Sequence, residues 1–535
     1  MKKILVYFIA FSFLLSGCSV TSSKVEGTQI NLSDNKITVD GDEITNDSTQ
    51  AVYAANDVVF YLAGQDFTYG EGTAEDAHEQ SKADAHTVVH ITKPGTYILS
   101  GELSLGQIAV DLGEDAEENP EAVVTLILNG VDITCTVAPA VIFYNVYECC
   151  SSDEETASYD VDTSKAGANV IIADDTENNI NGSYVAKIYE SYELNEDKTE
   201  VVDSKKLHKY DGAFYSKKTI NMNGGTKGNG ILNIAAENEG LDSELHLTIN
   251  GGTINIVSGN DGINTNEDNV SVTTMNGGAL NILCNGETGE GDGIDSNGWL
   301  VINGGTLNAQ ACATSGDAGI DSDKGIYING GKVVASGSMF DQIAGGDQTY
   351  AVFSFASRQN GDNTYTLKDT SGNVVEEYKP TNAFTYLIIA GDELSSGEYT
   401  FWQGDTQLAA NAMQNMKGGM PQGDRPEMPN GAEPPQDGTI PEAPEGQERP
   451  EQANGEPPQK PDEEIPNGEM PDDEKREMPN GEMPDGEQPE MPEGMTPPDD
   501  GDGMKGGNMI PNGETFTTFK IEKGGNQFSN VSPVE

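Results

Sequence analysis

Leu247-Thr248-Ile249-Asn250-Gly251-Gly252-Thr253-Ile254-Asn255-Ile256 places alternating apolar residues on both sides of an Asn-Gly-Gly triplet. Leu300-Val301-Ile302-Asn303-Gly304-Gly305-Thr306-Leu307-Asn308-Ala309 repeats the pattern. The triplet begins at Asn223, Asn250, Asn276, Asn303 and Asn329, in steps of 27, 26, 27 and 26 residues. Alternation of period two is the signature of a strand with one buried face. Each repeat therefore supplies two short strands meeting at a glycine corner, where a positive φ is tolerated.

A constant period in the twenties points to a solenoid, because one repeat cannot bury its apolar face alone. The competing arrangement is a series of antiparallel hairpins, since Asn-Gly is also a hairpin turn signal. Hairpins do not require such regular spacing, so the expectation is an all-β chain wound as a parallel β-helix. In that fold the corner asparagines stack about 4.8 Å apart. Asn255, Asn281 and Asn308 form a second column, and amides hydrogen-bond along both.

A second element recurs in phase: Glu239-Gly240-Leu241-Asp242-Ser243, Asp261-Gly262-Ile263-Asn264-Thr265, Asp292-Gly293-Ile294-Asp295-Ser296 and Ala318-Gly319-Ile320-Asp321-Ser322, followed by Asp323. Read as turns along one edge, these put Asp242, Asn264, Asp295 and Asp321 in one column and Glu239, Asp261 and Asp292 in another. Two carboxylates one sheet spacing apart repel by about 3 kcal/mol at an effective dielectric near 20. Calcium would offset this, because it accepts six to eight oxygens in flexible geometry. The expected metal ligands are thus Glu239, Asp242, Asp261, Asn264, Asp292, Asp295, Asp321 and Asp323. Solvated turns, where Asp and Gly are common, are the alternative.

The remainder bounds partners and compartment. The chain has 535 residues, a formal net charge of −60, 7% aromatic residues, 63 Gly and 25 Pro. Such acidity excludes nucleic acid as a partner of the bulk of the chain and leaves cations and neutral or cation-bridged polymers. Lys2 and Lys3, the apolar run of residues 4–15 and Leu15-Ser16-Gly17-Cys18 read as an export signal over residues 1–17. The last four resemble a bacterial lipobox, which implies a lipid-anchored cell-surface protein held through Cys18 on the outer side of the cytoplasmic membrane. Residues 18–50 read as a flexible tether, 51–410 as the β-domain with a short closing segment after about residue 338, 411–514 as a disordered Pro/Gly/Glu/Met-rich tail, and 515–535 as a terminal strand. Five further cysteines, two of them adjacent at Cys149 and Cys150, read mostly as small buried apolar residues. No zinc motif or Ser-His-Asp pattern is visible, and the chain is expected to be monomeric.

Several ordered segments carry a family resemblance: Thr92-Lys93-Pro94-Gly95-Thr96-Tyr97, Gly106-Gln107-Ile108-Ala109-Val110-Asp111, Val124-Thr125-Leu126-Ile127-Leu128-Asn129-Gly130, Ala173-Asp174-Asp175-Thr176-Glu177-Asn178 and Gly212-Ala213-Phe214-Tyr215-Ser216, with both repeats. Over about residues 55–405 the chain resembles a bacterial carbohydrate-binding domain family with a polysaccharide-lyase-like right-handed parallel β-helix. The resemblance implies non-catalytic binding of polysaccharide, cellulose or acidic pectic chains such as polygalacturonate, with bound calcium. The run 148–169 is an unusual insertion, and Asn264 and Ala318 depart from the acidic pattern. Tyr215, Trp299 and Tyr327 are candidate sugar platforms, although aromatic residues also serve packing. Two alternatives stand beside binding: a calcium-dependent lyase with Lys324, Lys217 or Lys218 as base, and a structural envelope stalk.

Overall fold

The structure, a computed structural model, describes residues 26–286, 288–412 and 515–534. The export signal, Cys18 and the acidic tail from residue 413 to 514 lie outside the described residues. Helix is confined, among the described residues, to Gln80–Ala83 and a 3-10 turn at Glu114–Glu118. The chain is all-β.

Successive repeats pair in parallel rather than as hairpins, and they build three ladders. The first takes Ala168–Ile172 and then the strand before each triplet, Ile220–Gly224, Leu247–Ile249, Val272–Met275, Trp299–Ile302 and Gly325–Ile328, each paired with the next. The second takes Glu177–Gly182 and then the strand after each triplet, Ile231–Ala236, Thr253–Ser258, Ala279–Cys284, Thr306–Gln310 and Lys332–Gly337. A third runs through Thr87–Ile91, Gly106–Val110, Val141–Phe143, Gly212–Ser216, Glu239–Ser243, Ile263–Thr265 and Ile294–Ser296.

In-register pairing turns the sequence period into columns. Leu232, Ile254, Leu280, Leu307 and Val333 lie one above another, each at most 1% exposed. Burying one such side chain contributes roughly 1.5–3 kcal/mol. The alternate residues face outward and form the expected amide columns. At the corner, Asn250, Asn276, Asn303 and Asn329 each donate Nδ2 to Oδ1 of the preceding asparagine at 2.8–2.9 Å. In the second column Asn233, Asn255 and Asn281 do likewise. Asn308 pairs with Asn281 in register, but its buried Oδ1 meets no donor. The second glycine of four triplets, Gly252, Gly278, Gly305 and Gly331, has φ between 84° and 89°.

Two expectations change. The first three copies of the acidic element supply strands of the third ladder rather than turns at its edge, and the fourth, Ala318 to Ser322, lies outside the named strands. The element's glycines are required by packing: a Cβ at Gly262 would meet Ile282 Cγ2 at 2.2 Å, and one at Gly240 would meet Ile256 Cγ2 at 2.3 Å. The run expected as a tether enters the sheet at Thr28. Thr28–Leu32 pairs in parallel with Gly95–Leu103 and buries Ile30 and Leu32, an alternation the sequence already contained. The closing segment has its own aromatic core of Phe353, Phe355, Tyr365, Phe384 and Phe401. Phe519 joins it, and Gly525–Pro533 pairs with Tyr350–Gln359 and Thr406–Ala412.

Gly262→Ala is expected to lower stability by about 1–3 kcal/mol, the usual cost of overpacking. Asn276→Ala, at an exposed ladder position, should cost about 1 kcal/mol. Urea denaturation of both variants checks the order; an equal or reversed cost would show that the corner amides, not the glycine contacts, limit stability.

Candidate functional site

Two polar features stand out on this frame. One is the acidic face of the third ladder. Pairing places Asp242 beside Asn264 and Asn264 beside Asp295, and the Asp321 N–H donates to the Ile294 carbonyl on the next level at 2.7 Å. The second expected column also forms. The Asp292 N–H donates to Asp261 Oδ1 at 2.7 Å, and the Ala318 N–H to Asp292 Oδ1 at 2.5 Å. Asp323 follows on the surface, exposed. All eight predicted ligands therefore sit in or beside two neighbouring columns.

The electrostatics there are unfavourable. Among the described residues none of Glu239, Asp242, Asp261, Asp292, Asp295 or Asp321 is in an ion pair. Burial, helped by neighbouring carboxylates, pushes Glu239 up to about 8, Asp292 to about 9, and Asp295 and Asp321 to about 6. Asp242 and Asp261 are raised well above the ordinary range for the same reason. The Lys209 charge draws Glu239 and Asp242 down only in part. Asn264 Nδ2 donates to Glu239 Oε1 at 3.0 Å and Asn266 Nδ2 to Asp242 Oδ1 at 2.6 Å. Three oxygens of this cluster, Glu239 Oε2, Asp242 Oδ2 and Asn264 Oδ1, are buried with no donor. A buried acceptor left unpaired costs about 1–3 kcal/mol, and more if charged. Two carboxylate oxygens and an amide carbonyl, all hard donors, suit a hard divalent cation.

The second feature is a groove of about 400 Å³ against the outer face of the first ladder. Asn221, Asn250, Asn276, Asn303 and Thr274 line its floor, and Tyr159 to Ser164 of the insertion form its wall. Thr163 ties that wall down: its Oγ1 donates to Asn221 Oδ1 and its carbonyl accepts from Asn221 Nδ2, both at 2.8 Å. Tyr159, 46% exposed, stacks on Tyr327 with ring centroids 4.4 Å apart and planes 20° apart.

The three predicted platforms separate. Tyr215 is 2% exposed, with its hydroxyl donating to Glu244 Oε1 at 3.1 Å, so it is a core residue and offers no sugar face. Its place in a fully buried strand, Gly212–Ser216, is the reason. Trp299 is half-buried, with Lys324 Nζ 6.0 Å from its ring centroid. Tyr327 is half-buried beneath Tyr159. Sequence reasoning missed Tyr159, which no periodicity marks because it lies in the insertion. It also missed Asn266, which holds Asp242. Of the candidate bases, Lys217 and Lys218 are paired with Glu117 at 3.5 and 2.8 Å.

A carbohydrate-binding domain-containing family matches residues 85–420, well over half of the chain. The chain belongs to that family. No curated protein matches. Among solved structures, the polysaccharide lyase-like protein from C. thermocellum, as its gadolinium derivative, is similar at 20% identity over 60% of this chain and 93% of that one, with a TM-score of 0.31.

The raised carboxylates set a pH dependence. Their unfolded values lie near 4. The folded chain thus holds protons that the unfolded chain has released, and stability falls as pH rises from about 4 through about 6 for Asp295 and Asp321, then about 8 to 9 for Glu239 and Asp292. In EDTA, Tm measured by calorimetry should fall between pH 5 and pH 9, and Asp295→Asn should flatten the first part of that fall. A Tm that holds level or rises across the window would contradict it.

Proposed function

We propose that this chain is a non-catalytic, cell-surface polysaccharide-binding protein whose ligand lies in the groove walled by the insertion. The three ladders are read as a right-handed parallel β-helix, the hand that strand-to-strand crossovers take in nearly all sheets. The single observation that carries the functional reading is the composition of the groove. Its lining is mostly amides and hydroxyls, with a stacked aromatic pair at its edge, the combination that serves sugar hydroxyls and pyranose faces. Membership of the carbohydrate-binding domain-containing family supports a polysaccharide ligand.

The groove favours a neutral chain of the cellulose type. Its only charged lining residues, among the described ones, are Asp160 and Asp162, which repel a polyuronate. Calcium is assigned a separate place, at Glu239 Oε2, Asp242 Oδ2 and Asn264 Oδ1, where it would satisfy the three unpaired oxygens. Two carboxylates and a neutral amide match a doubly charged ion without excess negative charge. On this reading the ion stabilises the fold. A second reading, capture of polygalacturonate through cations on the outer acidic column, is favoured by the succession of Asp295, Asp321 and Asp323 on adjacent levels. Attachment through a lipidated Cys18 completes the proposal and places the domain outside the cell.

Pull-down of the whole chain on insoluble cellulose and on polygalacturonate gel, each with calcium and with EDTA, tests this. Retention on cellulose that survives EDTA and falls at least tenfold in Tyr159→Ala supports the groove. Retention only on polygalacturonate, lost in EDTA and in Asp321→Asn, supports the acidic column instead. Release of unsaturated, ultraviolet-absorbing products would identify a lyase, and no retention on either polymer would favour a structural stalk. Calcium should also raise Tm more at pH 8 than at pH 5, where the carboxylates hold protons.

A further inference from the structure

The insertion that walls the groove begins with Glu148-Cys149-Cys150, and these three side chains do not behave as buried apolar residues. Both cysteines are part-exposed, and neither is in a disulfide. Their Sγ atoms lie 3.4 Å apart. Among the described residues, Glu148, Cys149 and Cys150 are the one group of three His, Cys, Asp or Glu side chains whose ligand atoms all fall within 4.8 Å of one another. The predicted acidic columns contain no such triplet. Both cysteines line a cavity of about 210 Å³, together with Asp160, Val161 and Asp162. The Asp162 carbonyl oxygen lies 3.8 Å from each sulfur.

We propose that Glu148, Cys149 and Cys150, with the Asp162 carbonyl, form a binding site for a thiophilic divalent cation of the zinc class. The distances fit a tetrahedron. With metal–sulfur bonds near 2.3 Å and metal–oxygen bonds near 2.1 Å, tetrahedral geometry requires a sulfur–sulfur edge of about 3.8 Å and sulfur–oxygen edges of about 3.6 Å. The corresponding edges here are 3.4 Å and twice 3.8 Å. Adjustments of a few tenths of an ångström suffice. A disulfide between the same residues fits far worse. It needs the sulfurs at about 2.05 Å and Cα atoms normally 4.4–6.8 Å apart, whereas neighbouring Cα atoms across a trans peptide are only about 3.8 Å apart.

The surroundings hold the donors in place. Glu148 is oriented by the Cys150 N–H at 2.8 Å, the Thr219 N–H at 2.8 Å and the Thr219 hydroxyl at 3.0 Å. Partners of this kind orient a ligating carboxylate and raise metal affinity. His246 borders the cavity but is not a ligand. Its Nδ1 accepts the Val272 N–H at 3.0 Å, which leaves the proton of the neutral ring on Nε2. On binding, each thiol gives its proton to solvent, so one ion replaces two protons, and the thiolates and the carboxylate balance its charge with one negative charge in excess. The ion joins residues 148–150 to residue 162 and so fastens both ends of the loop that carries Tyr159.

Cobalt(II) is the probe, because its bonds to thiolates produce charge-transfer absorption that oxygen-only sites lack. The whole chain, reduced and kept free of oxygen, is titrated with Co²⁺ and then with Zn²⁺. One equivalent of cobalt should produce the thiolate band, stoichiometric zinc should abolish it, and the Cys149→Ser/Cys150→Ser variant should lack it. Because Cys18 is present in both arms, the difference reports only the adjacent pair. Absence of the band, or an equal band in the double variant, would overturn the proposal. Far-ultraviolet circular dichroism verifies that the variant folds, and the milder Glu148→Gln variant, which keeps both thiols, should retain the band at weaker affinity. The readout is spectroscopic, so its failure is separable from failure of polysaccharide binding.

Discussion

In-register parallel pairing between successive levels is the constraint on which the rest of this structure depends. Backbone donors and acceptors on each strand are satisfied by the levels above and below, not by a partner nearby in sequence. Whatever residue stands at one repeat position then stands beside its counterpart about 4.8 Å away. The apolar columns exploit this directly, since Leu232, Ile254, Leu280, Leu307 and Val333 bury one another. The corner asparagines exploit it differently. An amide is both donor and acceptor, so a column of them is self-complementary, and four successive bonds run from Asn223 to Asn329.

The same rule is costly for carboxylates, which accept but do not donate when ionised. Stacking Asp242, Asn264 and Asp295 leaves oxygens facing oxygens, and amides supply the side-chain donors, Asn264 to Glu239 and Asn266 to Asp242. The burial that pushes these groups upward and the three oxygens without donors have one origin: a repeat register suited to amides, occupied by acids. Cation binding and proton retention are the two ways to relieve it, and they are exclusive at any one oxygen. This competition makes stability depend on both pH and divalent cations.

The insertion is the part that escapes the register. It leaves the frame after Glu148, lies over the outer face of the first ladder through Thr163, and rejoins at Ala168–Ile172. Freed from columnar repetition, it places an exposed tyrosine on Tyr327 and two thiols beside a carboxylate. The frame supplies a regular amide floor, and the insertion supplies the irregular chemistry beside it.

Much of this was legible in the chain itself. The spacing of Asn223, Asn250, Asn276, Asn303 and Asn329, with apolar alternation around it, determined the strand pairs, the amide columns and the alignment of the acidic residues, because a fixed period in a paired backbone has only one set of columns. Sequence alone also placed the acids of the second repeat in phase with the first, but read them as turns. Only the tertiary structure decided that they form a third ladder, since the glycines of that element are there to admit Ile256 and Ile282 from another strand. It likewise decided that Tyr215 is core, that Tyr159 lies on Tyr327, and that Cys149 and Cys150 share a cavity with Asp162. Those outcomes depend on contacts between segments far apart in the chain, and periodicity carries information only about residues that repeat.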